Sequence, residues 1–247
     1  MKQPGGTRGR LPRVPPVASS VEPIRDGRNA RWDAHREQRR RLILDAASAV
    51  VEDSPVGAEL TLQDVAERAG LVRTVVQRHF GGRVQLVRAV QADVLDQAFA
   101  LITGPVDFTG TLREVVAHMV GTAVDWAVGH PALHALVERE LGDGEVSELN
   151  RIIATYAEYL SSIPRGVAAG RGIELADESV AEMQLVFAGV IGQVRATLGH
   201  WMGQHPQLVS RDGVVSVLAD AIAAQIAQRS RVYGLDLDAD SPLLPAT

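Results

Sequence analysis

Residues 72–80, VRTVVQRHF, concentrate side chains that can form directional hydrogen bonds with another molecule. Arginine carries a planar fork of donors that suits the edge of guanine, and glutamine can pair with the edge of adenine. Arg73, Thr74 and Gln77 therefore have the chemistry needed to contact bases in the major groove of DNA, if the fold presents them together. Contacts of this kind require a rigid element that holds all three side chains on one exposed face.

The sequence before this run predicts a short helix that ends in a tight turn. Thr61 is a good N-cap, and Asp64 three residues later approximates a capping box. Apolar residues then recur at helical spacing up to position 69. Gly70 follows where the helix must end, because glycine adopts the left-handed C-cap conformation without strain.

The run itself predicts a second short helix, from about Val72 to His79. It should bury Val75 or Val76 and expose its polar side chains. Phe80 closes the core, and two glycines form a corner before a long helix that begins near Arg83. Two short helices around a glycine turn are the layout of a helix-turn-helix DNA reader.

This segment resembles the DNA-binding segment of TetR-family transcriptional regulators. Positions that match the family pattern in order and spacing are Thr61, Val65, Ala66, Gly70, His79, Phe80, Arg83 and Leu86. Two positions depart from that pattern. Val72 stands where a capping Ser or Thr is usual, and Gln77 stands where a Tyr that often contacts phosphate is usual.

The resemblance implies an all-α protein with an N-terminal three-helix helix-turn-helix domain, followed by a larger helical ligand-binding and dimerisation domain. It also implies a regulator, most simply a repressor, that binds palindromic operator DNA as a homodimer and is released by a small hydrophobic effector. Phosphate contacts are expected from Arg39, Arg40, Thr61, His79 and Arg83, with Arg78 as a further DNA contact.

Charge is distributed unevenly along the chain. The formal net charge is −5, yet residues 1–41 carry +7, so the remaining residues sum to −12. Residues 61–88 carry +3 from five arginines and two acidic residues. A basic arm and a basic reader on an acidic body are expected when one end of a protein meets phosphate.

Composition shifts suggest four segments. Residues 1–30 are rich in proline, glycine and arginine and predict a disordered basic arm, either a DNA-binding arm or a plain tail. We assign the DNA-binding domain to residues 31–82, with its first helix from Trp32 or Asp33 to Glu52, and the ligand-binding and dimerisation domain to 83–234. Residues 235–247 are expected to form a frayed acidic tail.

Beyond Arg83 the apolar spacing is helical throughout, and no alternating strand pattern is evident. The predicted helices span about 83–102, 111–128, 131–140, 145–168, 177–203 and 210–231. In the fifth of these, Ala188, Gly189, Gly192, Ala196 and Gly199 recur at intervals of three and four. Because interior glycine destabilises a helix, this spacing suggests close helix approach. The resemblance implies that the last two long helices form the homodimer interface, and the alternative is packing within the chain.

The resemblance also implies that the effector pocket lies among the middle helices, roughly between Leu95 and Arg195. Candidate lining residues are Phe99, Met119, Trp126, Tyr156, Tyr159, Met183, Phe187 and Arg195. An apolar and aromatic lining with few polar groups suits a hydrophobic or aromatic small molecule.

Other chemistry is less well supported. His130, His134 and Glu138 share a spacing that could hold a metal ion, but Pro131 suits the first position of a helix and places His130 near its N-cap. We expect no metal and no cofactor. Cysteine is absent, and no apolar run is long enough to span a membrane, so we expect a soluble, cytoplasmic protein. A helical enzyme and a protein-interaction adaptor without specific DNA binding remain as alternatives.

Overall fold

The computed structural model describes residues 27–104, 109–142, 144, 146–240, 242 and 243. The chain divides into two units, residues 1–38 and residues 39–247. The expected basic arm lies outside the described residues up to position 26. Residues 27–30 are helical rather than disordered, because the first helix already begins at Gly27.

The described residues form nine helices and no strand, which confirms the all-α prediction. The helices are α1 (Gly27–Glu52), α2 (Leu62–Arg68), α3 (Arg73–Phe80), α4 (Arg83–Ile102), α5 (Leu112–Gly129), α6 (Pro131–Glu138), α7 (Glu148–Gly170), α8 (Asp177–Met202) and α9 (Arg211–Val232). From α4 onward the ends fall within three residues of the predicted ones. None of the described helices is long and apolar enough to cross a membrane.

One hydrophobic cluster, which we call the reader core, joins α1, α2 and α3 to α4 and α6. Val65 on α2, Val76 on α3 and Leu86 on α4 are completely or almost completely buried in it. Leu133 and Leu136 of α6 belong to the same cluster. The two short helices therefore pack on elements that continue into the second half of the chain.

A second cluster lies among α5, α7, α8 and α9. Its most deeply buried members include Val124 on α5, Ala168 on α7 and Leu218 on α9. The most extensive pairings in this region are α7 with α8 and α5 with α9.

The residues described after α9 pack against the second cluster. Leu235, Leu237 and Leu243 are buried in it, so the expectation of a loose acidic tail is wrong for residues 235–240, 242 and 243. The backbone N–H of Arg113 donates to the carbonyl of Ala239 (2.9 Å), and that of Leu243 donates to the carbonyl of Gly110 (3.1 Å). We call residues 234–240, 242 and 243 the C-terminal strap. Leu235 and Leu237 alternate with aspartates, and Leu243 follows a run rich in aspartate, which is why composition alone suggests a tail.

Candidate nucleic-acid interface and internal cavity

Local hydrogen bonds fix the start and end of α2. The Thr61 side chain accepts a hydrogen bond from the backbone N–H of Asp64 (3.2 Å) and donates to the Asp64 carboxylate (2.7 Å). Gly70 follows the C-cap with a φ of +65°, a conformation that favours glycine. Thr61 is therefore occupied as the N-cap of α2 and is half-buried.

Helix α3 exposes the side chains that the sequence placed on its outer face. Arg73, Thr74, Gln77 and Arg78 are exposed, whereas Val76 is fully buried. A helix that buries one stripe and exposes donors on the other can enter a major groove without repacking.

Both departures from the family pattern have visible structural effects in α3. Val72 is the N-cap residue and provides no side-chain hydrogen bond to the helix. The Gln77 side-chain amide donates to the carbonyl of Gly81 (2.7 Å), at the end of the same helix. Gln77 is thus engaged in capping here, which its position in the sequence did not reveal.

The cations near α3 differ in how firmly they are held. Arg40 lies over the ring of Phe80, 4.9 Å from its centroid, a favourable cation–π arrangement. Arg83 is a loose neighbour of Glu59, with 3.7 Å between Nη1 and Oε1. Arg73, like Arg39 and Arg78, has no ion-pair partner within the part of the chain that the structure describes. His79 is half-buried.

A cavity of about 260 Å³ lies among α4, α5, α7, α8 and α9. Its walls are almost entirely aliphatic and aromatic. Six of the eight predicted lining residues border it: Phe99, Met119, Trp126, Tyr156, Phe187 and Arg195. Tyr159 and Met183 are not among its lining residues, although they belong to the same hydrophobic cluster as Phe187 and Met119.

Aromatic residues shape one wall of the cavity. Phe99 on α4 and Tyr156 on α7 stack face to face, and Tyr159 meets Phe99 edge to face with 5.9 Å between ring centroids. The Tyr156 hydroxyl donates to the carboxylate of Asp96 (3.3 Å). Burial raises the pKa of Tyr156 well above its usual value, so the ring presents a neutral phenol.

Charged side chains meet the cavity at one end. Arg195 on α8 donates to Glu138 on α6 through both arms of its guanidinium, with Nε–Oε1 at 3.0 Å and Nη2–Oε2 at 2.7 Å. Each side chain of the pair is about one-third exposed, at 33% and 32%. His134 is beside them, and burial lowers its pKa, so its imidazole is neutral near pH 7.

Two of the three side chains that the sequence offered as metal ligands are paired with other residues. His130 pairs with Glu52 at the end of α1, while Glu138 pairs with Arg195. No group of three or more His, Cys, Asp or Glu side chains in the described ranges could hold a metal ion.

Sequence reasoning missed three contributors to this region. Leu237 and Leu243 of the C-terminal strap line the cavity, and Glu138 supplies the partner of Arg195. The only sequence signal for the strap was the spacing of its leucines. Nothing local connects Glu138 to Arg195, since they are 57 residues apart.

Small residues line an outward face of α8. A Cβ placed on Gly189, Gly192 or Gly199 would meet no atom within 4 Å. Packing within the chain therefore does not require glycine at these positions. On α9 an exposed valine, Val217, and the alanine Ala224 also face outward.

Comparisons with known proteins agree on the fold. No model of a known protein family matches the chain. The HTH-type transcriptional repressor LfrR of Mycolicibacterium smegmatis is 34% identical over 169 residues, which cover 62% of this chain and 87% of that repressor.

Solved structures show the same arrangement of helices. A TetR-family transcriptional regulator from Streptomyces coelicolor superposes with a TM-score of 0.59 at 17% identity, covering 79% of this chain and 83% of that one. The regulator FadR from Bacillus subtilis, solved with stearoyl-CoA, has a TM-score of 0.55 at 16% identity, covering 73% of this chain and 96% of that one.

Proposed function

The chain belongs to the TetR family of transcriptional regulators and is not an enzyme, and we propose that it is a ligand-responsive repressor. In this proposal, residues 31–82 read operator DNA, and residues 83–234 bind the effector and dimerise. The observation that carries it is the outer face of α3, where Arg73 and Arg78 are exposed and have no ion-pair partner among the described residues. Exposed cations on a short helix suit a polyanion.

We assign base contacts to Arg73, Thr74 and Gln77. Arg73 is the first residue of α3, and recognition helices contact bases with their N-terminal residues. Gln77 would have to exchange its hydrogen bond with Gly81 for one to a base. Contacts outside this set, mainly to phosphates, are assigned to Arg39, Arg40, Thr61, Arg78, His79 and Arg83.

We place the homodimer interface on the outer faces of α8 and α9. The open space beside Gly189, Gly192 and Gly199 allows the helix of a second copy to approach closely. A two-fold dimer presents two reading helices at a fixed spacing, which matches a palindromic operator.

Helix α6 offers a route from the cavity to the reader core. The buried side-chain amide of Gln91 on α4 donates to the carbonyls of Leu136 (2.8 Å) and Arg139 (2.9 Å) at the end of α6. An effector that moves α6 therefore also moves α4, at whose start Arg83 lies. The effector shifts the population between two states only through its different affinity for each.

The proposal is tested by selecting binding sites for the purified protein from a random library of duplexes. We expect a palindromic consensus, bound by two chains per duplex in native mass spectrometry. The complex should resist excess nonspecific duplex and weaken as salt rises, because phosphate contacts release counterions. If no sequence is enriched and binding follows salt alone, the protein is not a specific repressor, and the adaptor alternative is favoured.

A further inference from the structure

The cavity is elongated along α5. Its lining residues on this helix run from Leu112 to Ala127, a span of about 22 Å at 1.5 Å per residue. On α8 they run from Phe187 to Leu198, again over several turns. A compact aromatic molecule would contact a fraction of this length, whereas a chain-like molecule would contact all of it.

The two ends of the cavity differ in chemistry. One end is bordered by Arg195, Glu138 and His134. The other end, at the start of α5, is bordered by aliphatic residues that include Leu237 and Leu243, because the C-terminal strap hydrogen-bonds to Gly110 and Arg113 there. Between the two ends the walls are apolar. This is the polarity pattern of an amphiphile with one polar head and a long tail.

We propose that the effector is a long-chain carboxylic acid whose tail lies along α5 towards the C-terminal strap and whose carboxylate binds Arg195. The inference rests on the proposed function and names the chemical class of its effector. The carboxylate of Glu138, held by Arg195, occupies the position that we assign to the ligand carboxylate.

The geometry of Arg195 favours a carboxylate ligand. Its guanidinium already holds the Glu138 carboxylate through two hydrogen bonds of 3.0 and 2.7 Å, which is the fork-to-fork arrangement that arginine forms with carboxylates. A ligand carboxylate can replace Glu138 without changing the charge on Arg195 or the number of its hydrogen bonds.

Glu138 is the partner that can leave. It is the last residue of α6, and a negative charge is unfavourable at a helix C-terminus, whereas the positive charge of Arg195 is favourable there. Glu138 and Arg195 also border a small crevice of about 40 Å³ with polar walls that include Arg139 and Asn150. The crevice is also lined by Glu140 and Glu148, which would repel a displaced carboxylate, so the displaced Glu138 side chain turns into solvent, to which it is already one-third exposed.

Calorimetric titration with three probes of equal tail length tests the head group. Dodecanoate, dodecan-1-ol and dodecyltrimethylammonium are titrated below their micelle concentrations into the full chain and into two variants, Arg195→Gln and Glu138→Gln. Both variants break the same ion pair. We expect dodecanoate to lose about tenfold or more in affinity with Arg195→Gln and to gain affinity with Glu138→Gln, because its competitor is gone. Dodecan-1-ol should respond little to either change.

Other patterns would overturn the inference. Equal losses of dodecanoate affinity in both variants would make the pair purely structural. Tighter binding of dodecyltrimethylammonium than of dodecanoate, lost in Glu138→Gln, would assign a cationic effector instead. Unchanged dodecanoate affinity in Arg195→Gln would remove the proposed carboxylate site.

The strap end is tested by tail length, which does not depend on Arg195. Leu237→Trp fills the apolar end and should lower the affinity for hexadecanoate several-fold more than that for decanoate. Leu208→Trp, at a position with 87% exposure, is the control. An equal effect on both acids would contradict the proposed tail position.

The same samples are titrated with the selected operator duplex. A protein that binds the duplex but not dodecanoate would overturn the effector class while leaving the repressor function intact. A protein that binds dodecanoate but no specific duplex would contradict the proposed function and leave the cavity assignment in place.

Discussion

The reader core and the cavity are both surrounded by packed helices, but side chains fill the reader core and leave open space in the cavity. Val65, Val76 and Leu86 fill the reader core, and its chemistry is on the surface of α3. Between α5 and α8 the apolar walls leave about 260 Å³ unfilled. Protein interiors are normally close-packed, and an empty apolar cavity destabilises the fold. In the proposed function, DNA reading therefore depends on the exposed face of α3, and effector binding depends on the cavity between the later helices.

The largest expected effect compares two buried phenylalanines. Phe80→Ala in the reader core should lower the free energy of unfolding by about 3–5 kcal/mol, because close neighbours surround the ring. Phe187→Ala should cost clearly less, since one side of that ring already faces the cavity. Urea unfolding of both variants gives the two values. Equal losses would mean that the cavity walls are packed as tightly as the reader core.

The next largest effect on stability is expected when a leucine side chain of the C-terminal strap is shortened. Leu237→Ala should lower the free energy of unfolding by about 2 kcal/mol, the low end for a buried leucine, because part of its surface lines the cavity. Leu208→Ala, at an exposed position, is the matched control. If Leu237→Ala were as stable as this control, the result would support the frayed tail expected from the sequence and contradict packing of the strap.

The helices α2 and α3 could be predicted in detail because the residues that start, end and bury them are close together in the sequence. Thr61, Gly70 and the buried Val76 act within one or two turns, so their roles can be read from neighbouring residues. The cavity depends on contacts between distant segments. Arg195 meets Glu138 across 57 residues, and Leu237 reaches the cavity only because the chain folds back over the start of α5. The resemblance to the family, together with the apolar and aromatic residues of the middle helices, indicated six lining residues but could not separate them from Tyr159 and Met183, whose side chains are equally suited to an apolar wall.

Larger side chains can be introduced into the same two regions, the reader core and the cavity wall, to compare their effects on stability. Ala66→Leu in the reader core should lower the free energy of unfolding by about 1–3 kcal/mol, because no space exists for the added atoms. Ala123→Leu points the same atoms at the cavity and should leave stability unchanged or raise it. Thermal unfolding of both variants measures the difference. A clear destabilisation by Ala123→Leu would argue against usable space in that region.

The smallest effect concerns the missing cap of α3. Val72→Ser should raise the free energy of unfolding by about 1 kcal/mol, because a serine hydroxyl can accept from a backbone N–H that Val72 leaves without a cap. Val72→Ala is the control and should give no such gain. If the serine variant were no more stable than the alanine variant, the departure at Val72 would have no structural consequence.

The most direct test of the central claim is the affinity of the selected operator duplex for Arg73→Ala, measured by fluorescence anisotropy. The control is Arg165→Ala, an exposed arginine on α7 that is paired with Asp177. We predict a loss of about 1–3 kcal/mol for Arg73→Ala, with relaxed preference at one base position, and no change for Arg165→Ala. Equal operator affinity in both variants and the unmodified protein would contradict DNA reading by the exposed face of α3.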